Sequence, residues 1–164
     1  MVSEKTNISA TEADWSREKL RKWWTPSKQL IKSIRQYQKH QKNPQLFSSI
    51  WKKWHVLEHR FWTVMAGADT PINCQLGGGL VMPHPTGVVI NSQAKIGVNC
   101  LILQQVTIVK DVTIGGHVDI GAGAKILNSV TIGDNAKIGA NAVVVRDVPA
   151  GKTAVGVPAK VLNK

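Results

Sequence analysis

One histidine of the chain is flanked on both sides by proline, in the segment Pro83-His84-Pro85. Because each proline fixes its own backbone dihedral, the pair aims the residue between them. Imidazole titrates near neutral pH, which suits a general base, and a carboxylate bonded to its second nitrogen fixes the tautomer. Asp69 is a candidate for that carboxylate. The residue types therefore make His84 a candidate base, while a purely structural role for it stays open.

Other groups that could do chemistry are sparse. His117 follows Gly115-Gly116 and is predicted to lie in a turn and point outward. Cys74 and Cys100 are the two cysteines, without CxxC or His-Cys clustering. Their spacing predicts small core residues, and neither a disulfide framework nor a metal site is expected.

The composition of the chain changes abruptly near residues 62–67. All six Trp, both Phe and the single Tyr lie at or before Trp62, whereas all 14 Gly lie at or after Gly67. Such a shift marks a structural boundary. We predict an N-terminal helical segment over residues 1–66 and a second domain over residues 67–164.

A repeat of six residues runs through the second domain. Large aliphatic residues recur at every sixth position, and four residues after each comes a second, mostly smaller apolar residue. Neither a helix period of 3.6 nor a strand period of 2.0 explains six, whereas a solenoid does. The repeat predicts a mainly β, parallel β-helix whose large residues stack inward. Glycines directly after them, at Gly97, Gly115, Gly121, Gly133 and Gly139, are expected to provide unusual backbone angles. The large series is Ile90, Ile96, Ile102, Ile108, Ile114, Ile120, Ile126, Ile132, Ile138 and Val144. The second is Ala94, Cys100, Val106, Val112, Val118, Ala124, Val130, Ala136, Ala142 and Val148.

Three helices are predicted before the boundary. The first covers Ala10–Trp24 with Thr11 as a possible cap, and the second begins at Ser27. The third covers about residues 44–65, because Asn43-Pro44 is a good helix start. The apolar face of the second is Leu30, Ile31, Ile34 and Tyr37. That of the third is Phe47, Ile50, Trp51, Trp54, Leu57, Phe61 and Trp62.

The chain is strongly basic, with 21 Lys and Arg against 10 Asp and Glu and a net charge of +11. Residues 1–62 hold 13 of these cations and 5 of the acids, a net +8. Nucleic acid is not expected as a partner, because no binding motif accompanies the charge. The segment instead suits peripheral contact with a membrane surface, or it packs subunits together, or it covers the open end of the β-helix. The interfacial pattern rests on Trp15, Trp23 and Trp24 among Arg17, Lys19, Arg21, Lys22 and Lys28.

The glycine-rich half resembles the serine O-acetyltransferase family of hexapeptide-repeat acyltransferases over about residues 61–162. The matching stretches are GADTPINCQLGGGLVMPHPTGVVI, LILQQVTI, IGAGAKIL, IGDNAKIGANAVVVRDVPAG and AVGVPAKVL. The resemblance implies a left-handed β-helix and an acetyl-CoA-dependent O-acetyltransferase that needs no metal. It implies that His84 removes the proton from the acceptor hydroxyl, that Asp69 pairs with His84, and that the hydroxyl attacks the thioester directly.

The resemblance also implies where the cofactor lies. Family members bind CoA in a groove between neighbouring subunits, as homotrimers or dimers of trimers. By this resemblance the nucleotide end would lie near Pro158 and Lys160. The pantetheine path would be lined by Ala122, Gly123, Ala124, Ala140 and Ala142. The alternative is that these alanines are only the small positions of the repeat.

Three departures from the family pattern leave the acceptor open. Pro83 stands where serine-specific members place Asp, and Gln104-Gln105-Val106-Thr107 runs into Ile108 without their inserted loop. The last residues, Val161–Lys164, lack the terminal Ile that docks on cysteine synthase, so no such docking is expected. The acceptor may be serine, as in cysteine biosynthesis, or a sugar or polysaccharide, and a non-catalytic scaffold is a further alternative. With no apolar run of membrane-spanning length and no apolar leader at the N-terminus, we expect a cytoplasmic protein.

Overall fold

The computed structural model describes residues 8–42 and 48–162. A short 3₁₀ helix, Trp15–Glu18, precedes α1 (Pro26–Lys42) and α2 (Ser48–Ala66), and short strands follow. These are β1 (Gln75–Leu76), β2 (Val89–Ile90), β3 (Lys95–Ile96), β4 (Leu101–Ile102), β5 (Thr107–Ile108), β6 (Thr113–Ile114), β7 (Asp119–Ile120), β8 (Lys125–Ile126), β9 (Thr131–Ile132), β10 (Lys137–Ile138), β11 (Val143–Val144), β12 (Thr153–Val155) and β13 (Lys160–Val161).

The strands form three parallel sheets that are the faces of a triangular prism. The first sheet is β2-β5-β8-β11, the second is β1-β3-β6-β9, and the third is β4-β7-β10-β12 with β13 added antiparallel. Thr107 pairs with Lys125, 18 residues later, so one coil consists of three hexads. The parallel β-helix predicted from the six-residue repeat is therefore confirmed.

The two apolar series of the repeat fill the prism. Each strand has one residue directed outward and one directed inward, and the ten large residues from Ile90 to Val144 are at most 4% exposed. The second series, from Ala94 to Val148, is also at most 4% exposed. Cys74 and Cys100 belong to this core and are free thiols.

The glycines that follow the large residues are needed for a different reason from the one predicted. Gly97 and Gly121 do not have positive φ angles; those angles fall two residues later, at Asn99 and Gly123. A Cβ atom at Gly121 would lie 2.5 Å from the backbone nitrogen of Ala140 in the next coil. The expectation of unusual angles is thus wrong: close stacking of successive coils leaves no space for a side chain.

The first predicted helix is also wrong. Only Trp15–Glu18 is helical, with Asp14 rather than Thr11 as its cap. The segment before it is held on the glycine-rich turn between the second and third sheets by Asn99. The Asn99 amide donates to the carbonyl oxygens of Ser9 and Glu12, each at 2.7 Å, and its Oδ1 accepts from the Asp14 N–H at 2.8 Å. These distant partners satisfy the backbone in place of helical hydrogen bonds.

Helix α1 covers the first coil. Leu30, Ile31 and Ile34 are at most 2% exposed and belong to the same core as the β-helix. The Arg35 guanidinium donates to the carbonyl oxygens of Leu76 and Gly77, each at 2.6 Å. The apolar face predicted for this helix is confirmed, and it closes one open end of the prism.

Helix α2 packs on α1 with its less expected face. It buries His55, His59 and Trp62 and leaves most of the predicted apolar stripe exposed to solvent. The predicted helix start at Asn43-Pro44 and the side chain of Phe47 lie outside the described residues. Among those described, no helix is long and apolar enough to cross a membrane.

Candidate functional site

The turns that lead from the third sheet to the first lie above one another along one edge of the prism, which we call the histidine corner. It consists of residues 83–87, 103–105, 121–123, 139–141 and 155–158 in successive coils. Backbone hydrogen bonds of 2.8–3.0 Å join neighbouring turns: Gln105 N–H to Thr86 O, Gly123 N–H to Gln104 O and Asn141 N–H to Ala122 O. Residues far apart in sequence are thereby aligned on one edge.

His84 lies where this corner is longest. Val81 pairs with Leu101, 20 residues later, whereas regular partners are 18 residues apart. The bond between Gln105 and Thr86 already has the regular spacing, so the two additional residues fall between Val81 and Thr86. His84 is therefore part of a two-residue bulge, and its side chain is exposed. A bulge of this kind redirects a side chain away from the regular surface.

Asp69 lies next to the same corner, one coil before Val89. Its N–H donates to Val88 O at 2.8 Å, and its side chain is exposed on the first sheet. The carboxylate borders a depression that also includes Thr107 and Lys110. Among the described residues no hydrogen bond joins the side chains of Asp69 and His84, so their pairing stays a prediction.

The residues expected to bind CoA divide into two groups. Ala122 is half-buried and Ala140 exposed, and both lie on the histidine corner, two and three coils beyond His84. Gly123 follows Ala122 with a φ angle of +73°, and an added Cβ would collide with the Asn141 side chain. These positions are narrow because the coils stack closely.

The other alanines face the interior. Ala124 and Ala142 are 0% exposed, so only their backbone can contact a ligand. Pro158 and Lys160 are exposed in the last coil, where Lys160 pairs with Val155 across the antiparallel pair of β12 and β13. A side-chain role for the two buried alanines is thus excluded by burial, while the exposed positions remain candidates.

Sequence reasoning missed the alignment of these residues on one edge. Gln104, Ala122 and Ala140 are 18 residues apart, so the signal was three times the six-residue repeat. The same rule separates His117 from the site: it lies on the corner between the second and third sheets, where its Nδ1 is 2.9 Å from Asn135 Oδ1.

The two thiols do not offer a rival nucleophile. Burial raises the pKa of Cys74 to about 12 and that of Cys100 to about 11. A thiolate is the reactive form, so both groups are inert near neutral pH. Histidine chemistry at the corner is therefore not in competition with cysteine chemistry in the core.

Comparison with known proteins gives a consistent result. The family model of the bacterial transferase hexapeptide (six repeats) matches residues 111–146. Serine acetyltransferase of Helicobacter pylori (strain J99) is 39% identical over 108 residues, 61% of this chain and 63% of the relative. The structure of soybean serine acetyltransferase complexed with serine has a TM-score of 0.69 and 31% identity, covering 85% of this chain and 58% of that one. A serine acetyltransferase complex with CoA has a TM-score of 0.71 and 32% identity, with 85% and 58% covered.

The fold and these matches define a hexapeptide-repeat protein with a left-handed β-helix, the hand that the sequence resemblance implied. Within that class the chain is similar to serine acetyltransferases in both sequence and structure. It spans about three fifths of the length of these relatives.

Proposed function

We propose that this protein is an acetyl-CoA-dependent O-acetyltransferase with His84 as its general base. The observation on which this rests is the position of His84 on a two-residue bulge of the corner that also bears Ala122 and Ala140. The regular coils need no such bulge for packing, and functional residues concentrate where a rigid scaffold becomes irregular. The similarity to a serine acetyltransferase that binds CoA supports the same reaction.

The histidine corner has the dimensions for an extended cofactor. Adjacent strands are about 4.8 Å apart, so the four steps from the coil of His84 to the coil of Pro158 span about 19 Å. The small residues between them let a thin pantetheine arm lie against the backbone. Lys160 at the far end offers a cation for the phosphate groups. The thioester then lies near His84 and the nucleotide near the last coil.

The reaction follows from this placement. His84 accepts the proton of the acceptor hydroxyl, and the oxygen attacks the thioester carbonyl carbon. The new C–O bond forms as the C–S bond breaks, and the imidazolium returns its proton to the departing CoA sulfur. Asp69, at the base of the same corner, is proposed to orient the imidazole and stabilise its charged form. No metal takes part.

A second chain is proposed to complete the groove. The corner of a prism is convex, whereas ligand sites are concave. His84, Ala140 and Pro158 are exposed in the single chain. A neighbouring subunit of a homotrimer would supply the missing wall, and a dimer of trimers is the larger assembly proposed. Acetyl-CoA as co-substrate places the enzyme in the cytoplasm.

The acceptor is a hydroxyl compound, and two candidates remain. Similarity to a serine-bound relative favours serine. The turn after Ile102 favours a larger acceptor such as a sugar or polysaccharide, because Leu103-Gln104-Gln105 is followed directly by β5 without an inserted loop. Pro83 in place of the carboxylate of serine-specific enzymes points the same way. A release assay for CoA thiol with L-serine, nucleotide sugars and oligosaccharides distinguishes them.

The proposal is tested at the cofactor end by Ala140→Phe. A phenyl ring on the exposed corner should raise the KM for acetyl-CoA at least tenfold, because the ligand must lie against the backbone there. Ser129→Phe places the same ring on a different, exposed corner and serves as the control. Calorimetry of acetyl-CoA binding separates the enzyme from a non-catalytic scaffold. Equal KM values for the two variants, or no binding of acetyl-CoA by the wild-type protein, would exclude the proposed cofactor path.

A further inference from the structure

Helix α2 presents an apolar face that nothing in the described chain covers. Its outward side chains are between 41% and 78% exposed and follow one another at helical spacings of three and four. They are Trp51, Trp54, Leu57, Phe61, Val64 and Met65. With a rise of 1.5 Å per residue, the stripe is about 21 Å long. Apolar patches of this kind mark interaction sites.

The tryptophans of the N-terminal segment extend this face. The rings of Trp23 and Trp24 lie 6.3 and 5.7 Å from that of Trp62, whose ring is 5.0 Å from Phe61. Trp23 is 72% exposed and Trp24 is 52% exposed. The aromatic surface is thus continuous from the segment before α1 onto α2. We call Trp23, Trp24 and the α2 stripe the aromatic face.

Positive charge surrounds the aromatic face. The described segments 19–25 and 48–66 contain six cations and one acid, a net +5. The acid, Glu58, lies 3.2 Å from Nδ1 of His55 and is directed to it. The cations are Lys19, Arg21, Lys22, Lys52, Lys53 and Arg60.

We propose that the aromatic face docks on the surface of an anionic lipid bilayer. Tryptophan and aliphatic side chains enter the headgroup boundary, while lysine and arginine contact the anionic headgroups. A second copy of the chain is the poorer occupant, because a self-paired face would bring two surfaces of net +5 together. Nucleic acid would not use the aliphatic Leu57, Val64 and Met65. This inference is independent of the reaction proposed above.

The test is co-sedimentation of the full chain with vesicles. Vesicles of phosphatidylcholine alone are compared with vesicles that also contain phosphatidylglycerol. The wild type should bind the anionic vesicles. Because a basic residue near such a surface contributes about 1 kcal/mol, the double variant Lys53→Gln/Arg60→Gln should weaken binding about thirtyfold. Leu57→Gln/Phe61→Ser should weaken it at least as much, since it removes the inserted side chains.

Matched controls lie at the opposite end of the molecule. Leu162→Gln removes an exposed apolar residue there, and Lys137→Gln/Lys152→Gln removes two exposed cations. Both should bind vesicles like the wild type, and all variants should keep the wild-type melting temperature because the changed residues are exposed. Light scattering after gel filtration reports the second copy. Absence of vesicle binding, binding unaffected by the α2 variants, or a smaller assembly in Leu57→Gln/Phe61→Ser would each overturn the proposal.

Discussion

Removing the bulge at His84 should separate folding from activity. Deletion of His84-Pro85 leaves Pro83 followed by Thr86, which restores the 18-residue coil of the regular turns. The Val88 N–H, which donates to Pro85 O at 3.0 Å, can then donate to Pro83 O. Regular turns use that bond between Ala124 and Gly121, at 3.2 Å. The shortened chain should therefore keep the β-helix.

The expected magnitudes follow from these contacts. At most one backbone hydrogen bond, worth about 1 kcal/mol, is at risk, which corresponds to a shift of the melting temperature of about 2–4 °C. Loss of a general base lowers the rate by about 10²–10⁴-fold. His84→Ala, which keeps the bulge, should lose activity equally, whereas His117→Ala on another corner should keep it.

The assay combines thermal unfolding followed by circular dichroism with the rate of CoA thiol release on the acceptor that the wild type uses. Wild-type turnover by the deletion variant or by His84→Ala would refute the assignment of the base. Cooperative unfolding lost in the deletion variant alone would refute the claim that the two residues are dispensable for the coil.

Three further predictions concern stability. Ile108→Ala should lower the free energy of unfolding by about 2–5 kcal/mol, because Ile108 is 1% exposed in the stack, whereas Thr113→Ala on the outer surface should change it by less than about 0.5 kcal/mol; urea titrations that find the two alike would contradict the inward stacking. Arg35→Ala should cost about 1–3 kcal/mol by the same measurement, since it leaves the carboxylate of Glu18, at 2.9 Å, and two carbonyl oxygens without the guanidinium; in Glu18→Gln the loss should be smaller, and equal losses would show that the ion pair is irrelevant. Burial lowers the pKa of His59 in the folded protein, so its stabilising contribution is complete above its unfolded pKa of about 6.5 and declines as pH falls below that value; His59→Gln should show a shallower loss of stability between pH 7 and pH 5, and an unchanged slope would contradict the shift.

The β-helix was predictable because its information is local. Each hexad holds its own inward residue, such as Ile108, and its own small residue, such as Val112, so the period is visible without any long-range contact. The alignment of Ala122 with His84 was not read from the repeat, since it depends on the coil containing three hexads and on a two-residue insertion between Val81 and Thr86.

The N-terminal part was less predictable because its partners are far away in sequence. The segment before Trp15 was expected to be helical from its own composition, yet its backbone is bound by Asn99, about 85 residues later. The apolar stripe of α2 was read correctly as a pattern, but periodicity does not tell which side of a helix meets the core. Here α1 already covers the first coil, and α2 packs through His55, His59 and Trp62.

The two ends of the prism differ in a way that gives the molecule a direction. The first coil is held by α1 and by the segment bound to Asn99, whereas the last coil ends in the short antiparallel pair of β12 and β13. In a stack of coils that contact only their neighbours, opening starts at the less protected end. Amide hydrogens should therefore exchange first near Val155 and last in the coils near Ile108. The order of that fraying means that His84 stands on the persistent end while Pro158 stands on the breathing one, so a ligand spanning both would tighten the end that opens.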